Sequence, residues 1–132
     1  MAVFSSTEKM YEVLGSLFEM LLKDPVAGPK FLESDIIIKF DITDPAGQLW
    51  ITNIDGGKVI RGSADLKATI DMQLSGDTCH KFWLQQIAMP VALAKGLIKA
   101  KGPMPKVIKL LPLLKPAYRE YPALAKTHGL PV

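Results

Sequence analysis

The side chains best suited to chemistry are few in this sequence, and they lie far apart. The one cysteine, Cys79, precedes His80, a pair that could be read as a nucleophile and its base, while His128 lies near the end of the chain. Adjacent residues of a helix do not face each other, and Cys79 falls on the apolar stripe of a predicted helix. We therefore interpret Cys79 as a structural core residue.

Metal, phosphate and acid–base chemistry lack the residue patterns that they need. A metal site would require a third and a fourth ligand beside His80 and His128, and the sequence suggests none. Asp55-Gly56-Gly57 lies between two short predicted strands, so it predicts a turn and no phosphate cradle. The acidic residues are scattered, and their spacing forces no two together. We expect no metal, no cofactor and no enzymatic activity.

The charged residues are divided unevenly along the chain. The net charge is +3, yet residues 1–78 carry seven basic and twelve acidic side chains, whereas residues 79–132 carry nine basic side chains and only Glu120 as an acid. This asymmetry favours a surface for anionic partners, either phospholipid head groups or nucleic acid, although ordinary solvated lysines explain it equally well. The sequence has two arginines, Arg61 and Arg119, and no recognised nucleic-acid-binding motif, so we do not expect nucleic acid as a partner.

The first element that the pattern predicts is a helix. The whole chain, with 132 residues and a hydrophobic content of 48%, is predicted to form one globular domain over residues 1–132. Ser5 and Glu8 have the spacing of a capping box, and the apolar stripe from Met10 to Leu21 predicts a helix that ends near Asp24-Pro25. No stretch is apolar over the ~18 residues that a membrane span needs, so we expect a soluble, cytoplasmic protein.

From Asp35 the apolar period changes to two, which indicates strands. Residues 36–42, 49–54, 58–61 and 67–74 form four runs, and the clearest alternation places Ile70 and Met72 on one face with Asp71 on the other. One buried face and one wet face are typical of a largely antiparallel sheet that helices cover on one side.

Residues 77–102 link this sheet to the rest of the chain. Asp77 is predicted to cap a helix, Pro90 to begin a second helical turn and Gly96 to end it in the left-handed conformation. A strand at residues 97–102 and a helix from Met104 follow. Three prolines, at positions 112, 116 and 122, are predicted to divide the remaining tail into short turns that form an irregular docked lid.

Residues 80–114, HKFWLQQIAMPVALAKGLIKAKGPMPKVIKLLPLL, resemble the sterol carrier protein 2 (SCP2) family. The shared pattern is an aromatic helix, a turn of small residues with a proline, a Lys-Gly, a strand that ends in Lys-Gly and an apolar final helix. The first helix and the earlier strands also fit the family's order, so the resemblance covers nearly the whole chain. Eukaryotic members often end in a peroxisomal tripeptide, which residues 130–132 do not match.

The resemblance implies an α+β fold in which about five mainly antiparallel strands, covered by helices on one face, enclose an apolar cavity. It implies non-enzymatic binding and transfer of a fatty acid, fatty acyl-CoA, phospholipid or sterol. Two tryptophans, five phenylalanines and six methionines are enough to line such a cavity, although plain core packing explains each apolar stripe equally well. The alternative is an interaction or dimerisation module that assists a partner enzyme, and a homodimer stays open.

The predicted ligand contacts are apolar side chains drawn from the helices, the second strand and the central segment. They are Phe18, Leu22, Trp50, Phe82, Trp83, Ile87, Met89, Leu93, Ile98, Met104, Ile108 and Leu111. The residues predicted to dock on lipid head groups, on an anionic membrane surface or on a CoA phosphate are the lysines Lys95, Lys99, Lys101, Lys106 and Lys109.

Overall fold

The computed structural model describes residues 3–132, which form an α+β fold with one five-stranded sheet in the order β3-β2-β1-β4-β5. No helix among these residues has the length and apolar character that crossing a bilayer requires. The strands are β1 Ile38–Thr43, β2 Gly47–Thr52, β3 Lys58–Arg61, β4 Ile70–Ser75 and β5 Ile98–Lys101. The α-helices are α1 Thr7–Lys23, α2 Ala27–Glu33, α3 Gly76–Trp83, α4 Met89–Ala94, α5 Met104–Leu110 and α6 Lys115–Thr127, and 3₁₀ turns span Ile54–Gly56 and Leu111–Leu114.

Two predicted helix caps are displaced along the chain. The cap of α1 is Ser6 and not Ser5, because the Ser6 hydroxyl accepts the Lys9 backbone N–H at 3.1 Å. The cap of α3 is Ser75, whose hydroxyl accepts from the Thr78 N–H at 3.1 Å. The predicted cap Asp77 lies inside α3, where its carboxylate accepts the backbone N–H of Val3 at 2.8 Å. Both helices still begin within two residues of the predicted positions.

The sheet is mixed, with one parallel pairing among three antiparallel ones. β1 pairs antiparallel with β2 and parallel with β4, so Ile38 lies opposite Ile51 on one side and Ile70 on the other. The parallel pairing arises because β3 lies at the outer edge of the sheet and residues 62–69 then carry the chain back past β2 to the other side of β1. The prediction of a mainly antiparallel sheet is confirmed, with this one exception.

Aromatic side chains fill the layer between the sheet and the helices. Phe18 of α1 stacks on Phe40 of β1 with ring centroids 4.8 Å apart, and the Trp83 ring meets Phe18 edge-on at 5.7 Å. All three are at most 2% exposed. Most of the apolar side chains of the helices therefore pack into a dense core with the sheet.

The end of the chain is a regular helix, so the predicted irregular tail is wrong. Pro116 falls in the first turn of α6, where no intrahelical N–H is needed, and Pro122 is accommodated inside the helix. Buried Ala117, Tyr121 and Ala125 recur at intervals of four residues on one face, which packs against α1. The tail is docked, as predicted, but as thirteen helical residues.

Candidate functional site

An apolar groove of about 480 Å³ opens where the α3–α4 connection faces the second 3₁₀ turn and the start of α6. The connection turns sharply at Gln85, which adopts a positive φ of 62°, and Pro90 then begins α4. The groove is lined by Phe82, Gln85, Ile87, Ala88, Met89, Pro90, Leu111, Pro112, Lys115 and Tyr118.

The base of the groove is part of the aromatic core. Phe82 is 3% exposed and Met89 is 5% exposed, so each presents only a small surface to the groove. The Phe82 ring meets Trp83 at 4.9 Å and Tyr118 at 5.5 Å, both edge-on. These ring contacts pack the base of the groove, whereas the exposed rim at Ala88 and Pro90 leaves the groove open to solvent.

Three polar side chains lie among the apolar lining. Burial raises the pKa of Tyr118 to about 12, so its hydroxyl is neutral and can donate or accept a hydrogen bond. Lys115 is exposed at the rim and supplies a positive charge, and Gln85 supplies an amide. The arrangement suits a molecule that is mostly apolar and has one polar or anionic end.

Four of the twelve predicted contacts meet in this groove, and the other eight lie elsewhere. The four are Phe82, Ile87, Met89 and Leu111. Phe18, Trp83 and Ile98 are buried in the core, Leu22 and Leu93 are half-buried outside the groove, and Met104 and Ile108 are exposed on α5 at 54% and 61%.

Trp50 lies on the opposite face of the sheet from the groove. Its partner across the antiparallel pair is Lys39, whose Nζ lies 5.6 Å from the Trp50 ring centroid, and the indole N–H donates to the Gly62 carbonyl at 3.1 Å. Successive residues of a strand point to opposite faces, so Leu49 and Ile51 face the helices while Trp50 does not. The sequence pattern does not show this because all of Leu49–Thr52 is buried.

The predicted lysines divide between two surfaces. Lys99 and Lys101 follow the outer face of the sheet, opposite Gln73 and Asp71. Lys95 ends α4, and Lys106 and Lys109 lie on α5, which leads directly into the groove wall at Leu111. Lys106 and Lys109 therefore lie within five residues of the groove along the chain.

Three lining residues, Pro112, Lys115 and Tyr118, were missed because they belong to the tail that was predicted to be irregular. The spacing of Lys115 and Tyr118, followed by Tyr121 and Ala125, is three or four residues, which is the helical period. This period predicts a helix through Lys115 and Tyr118 when the prolines are not treated as helix breakers.

Cys79 and His80 belong to the core. Burial raises the pKa of the Cys79 thiol to about 12, so the reactive thiolate is absent near neutral pH. His80 is 3% exposed; its Nε2 donates to the Pro131 carbonyl at 2.6 Å, and its Nδ1 then accepts from the Tyr121 hydroxyl at 2.7 Å. Within residues 3–132, no three His, Cys, Asp or Glu side chains group closely enough to hold a metal ion.

Comparison with models of known protein families and with curated proteins gives no match. Solved structures do match. A sterol carrier protein domain 2 of Helicoverpa armigera is 20% identical, with a TM-score of 0.67 over 82% of this chain and 87% of that one. The sterol carrier protein 2 of Aedes aegypti in complex with the C16 fatty acid palmitate is 14% identical, with a TM-score of 0.56 over 83% and 94%.

A third match is the ubiquinone synthesis protein UbiJ-SCP2, which is 14% identical, with a TM-score of 0.61 over 82% of this chain and 94% of that one. Each of these three matches spans most of both chains, so the likeness covers most of the sheet and helices. At such identities it establishes the fold: this chain has the α+β fold of the sterol carrier protein 2 domains.

Proposed function

We propose that this protein binds the apolar chain of a lipid in the groove beside α3 and carries it without making or breaking bonds. The observation that carries the proposal is the open apolar groove that Phe82, Ile87, Met89 and Leu111 form in an SCP2 fold. The palmitate complex of the Aedes aegypti protein supports it, because that protein shares the fold. These four side chains are the proposed ligand contacts, and Phe18 and Trp83 support them from the core.

The volume of the groove fits one long chain. An engineered apolar cavity of roughly 150 Å³ holds the six carbons of benzene, or roughly 25 Å³ per carbon, so about 480 Å³ accommodates about nineteen carbons. Removing a methylene from water is worth ~0.8 kcal/mol, which sets ~13 kcal/mol as the upper bound for sixteen carbons. A bilayer offers the same gain, so a chain passes between carrier and membrane with little net change in free energy.

The test is to block the groove with a bulky side chain. Ala88 is exposed on the groove lining, so Ala88→Trp fills it without disturbing the core, and Ala123→Trp on the exposed face of α6 is the matched control. We expect Ala88→Trp to lower the affinity for a fluorescent sixteen-carbon fatty acid by at least about tenfold and Ala123→Trp to leave it unchanged. Equal binding by both variants would contradict the proposed site.

A second candidate function is that of an interaction module, which the likeness to UbiJ-SCP2 favours. The two candidates differ in what a titration shows. A carrier binds the fluorescent fatty acid at one site per monomer and releases it to competing acyl-CoA. A module dimerises or assembles with increasing concentration and holds no displaceable ligand, which analytical ultracentrifugation with and without fatty acid distinguishes.

We further propose that the carrier loads and unloads at anionic membranes through α5. Met104 and Ile108 lie one turn apart and are 54% and 61% exposed, and Lys106 and Lys109 lie beside them in the sequence. Exposed apolar side chains with adjacent lysines suit the boundary between head groups and acyl chains. The helix ends at the groove wall, so docking there would bring the groove to the bilayer.

A further inference from the structure

A second apolar groove lies on the other side of the 3₁₀ turn Leu111–Leu114. It has a volume of about 430 Å³ and is formed between the α1–α2 connection and the start of α6. Its apolar lining comes from Pro25, Val26 and Ala27 on one side and from the 3₁₀ turn and Pro116 on the other. Neither the fold nor the proposed carrier function requires a second groove.

The two grooves share a ridge. Pro112 and Lys115 line both of them, and both residues are exposed. The grooves therefore meet at the segment that carries Pro112 and Lys115, and the exposed Lys115 supplies a positive charge there. A ligand that lies across the ridge would meet two apolar surfaces and one positive charge.

The ridge and the second groove carry more free positive than negative charge. Lys30, Lys115 and Arg119 line the second groove together with one acid, Asp24. The Asp24 carboxylate is already engaged: it accepts the backbone N–H groups of Ala27 at 2.8 Å and Val26 at 3.0 Å and pairs with Arg119 at 3.5 Å. Across residues 3–132, no carboxylate lies within 4.0 Å of Lys30 or Lys115.

We propose that the two grooves together form a site for one two-tailed lipid with an anionic head group, with one tail in each groove and the head group over Lys115. This inference rests on the proposed function for the first groove and extends it. At roughly 25 Å³ per carbon, the second groove accommodates about seventeen carbons, close to the capacity of the first. The two capacities match the paired tails of a diacyl glycerophospholipid.

Covalent linkage of the tails gives such a lipid its advantage over a fatty acid. Once one tail is bound, the second enters its groove at an effective concentration of about millimolar, so the two-tailed ligand binds more tightly than either tail would alone. The ammonium group of Lys115 adds a preference for a phosphate monoester over a zwitterionic head group. A sterol, which is rigid and has one body, gains from neither effect.

The test uses three fluorescent probes below their aggregation concentration: a phosphatidic acid, the corresponding one-tailed lysophosphatidic acid, and a fatty acid. Val26 is 63% exposed in the second groove, so Val26→Trp fills that groove and Pro25→Trp does so from the neighbouring position. We expect each variant to lower the affinity for phosphatidic acid by about tenfold or more. The affinities for both one-tailed probes should stay within about twofold of the wild-type values. Melting temperatures confirm that the variants are folded.

The charge of the ridge is tested separately. Lys115→Gln should lower the ratio of phosphatidic acid to phosphatidylcholine affinity, whereas Lys126→Gln on the exposed part of α6 should not change it. Equal affinity of the wild-type protein for phosphatidic and lysophosphatidic acid, or binding of phosphatidic acid that both tryptophan variants leave unchanged, would overturn the proposal. Fatty acid binding that Ala88→Trp also leaves unchanged would instead contradict the first groove as the site of the proposed carrier function.

Discussion

At the scale of single residues, two glycines in the first two helices differ in what surrounds them. A Cβ on Gly28 would meet the backbone carbonyl of Leu22, which cannot move without disturbing α1. A Cβ on Gly15 would meet only the guanidinium of Arg61, whose Nε lies 2.5 Å away at the end of a flexible side chain. Close approach to backbone therefore requires glycine at position 28 and not at position 15.

The matched pair Gly28→Ala and Gly15→Ala tests this difference. We expect Gly28→Ala to lower the free energy of unfolding by about 1–3 kcal/mol, because α1 and α2 must separate. In Gly15→Ala, the gain in helix propensity of about 1 kcal/mol offsets the displacement of Arg61, so stability should change little. Urea unfolding measures both, and equal destabilisation would contradict the steric argument.

The protonation of His80 is coupled to folding in the pH range just below neutral. Burial lowers its pKa below the usual 6.5, outweighing the Pro131 hydrogen bond and the charge of Asp77, which raise it. The unfolded chain then binds the proton more readily than the folded protein, so the stability that neutral His80 contributes is full above about pH 6.5 and is lost as the pH falls towards the lower folded value.

We therefore expect a fall in stability below pH 6.5 of at most about 1.4 kcal/mol per pH unit from this one group. His80→Gln removes the titrating ring, so the variant should be less stable near neutral pH but should show a shallower slope between pH 6.5 and pH 5. Thermal melts across this range give the comparison. A slope identical to that of the wild-type protein would assign the pH dependence to other groups.

At the scale of elements, the two prolines of α6 occupy positions at which proline affects helix stability differently. Pro116 lies in the first turn, whereas Pro122 lies inside the helix, where it cannot donate to the carbonyl of Tyr118. Since Pro122 is exposed, Pro122→Ala should restore this hydrogen bond and raise the free energy of unfolding by about 1–3 kcal/mol. Pro116→Ala should change it by about 0.5 kcal/mol or less. A Pro122→Ala variant that is less stable than the wild-type protein would contradict this expectation.

The same element marks the limit of prediction from sequence. Strands β1 and β4 and helix α1 follow from local periodicity, which correctly predicts the inward side chains Ile38, Phe40 and Ile70. Helix α6 is not predicted from the sequence, because proline is locally a helix breaker. The burial of Tyr121 against the core stabilises the helix nevertheless. The groove lies between α3 and α6, so its half from α3 and α4 could be predicted and its half from α6 could not.

Strand pairing could not be predicted where it depends on segments that are far apart in the sequence. The parallel contact of β1 with β4 follows from the path of residues 62–69, which carry the chain from β3 past β2 to the other side of β1. A strand that is buried along most of its length does not reveal its inner face. The second groove likewise joins residues 24–30 to residues 112–119, a contact that no local pattern indicates.

At the scale of the whole molecule, charge is segregated between surfaces. The exposed side of α1 carries Glu8, Glu12 and Glu19, whereas residues 89–114 contain five lysines and no acidic residue. We expect an anionic bilayer to repel the side that carries these glutamates and to attract α5, an orientation that would present the groove wall at Leu111 to the bilayer.

The double variant Lys106→Glu with Lys109→Glu tests the orientation, with Lys126→Glu on α6 as the single-charge control. Each lysine near an anionic surface is worth about 1 kcal/mol, so reversing two of them should weaken binding to phosphatidylcholine–phosphatidylserine vesicles by about thirtyfold or more. The control should lose much less, since Lys126 lies on another helix, and wild-type binding should fall between low and physiological salt. Vesicle sedimentation measures all three, and equal loss per reversed charge in both variants would mean that net charge, and not α5, attracts the protein to membranes.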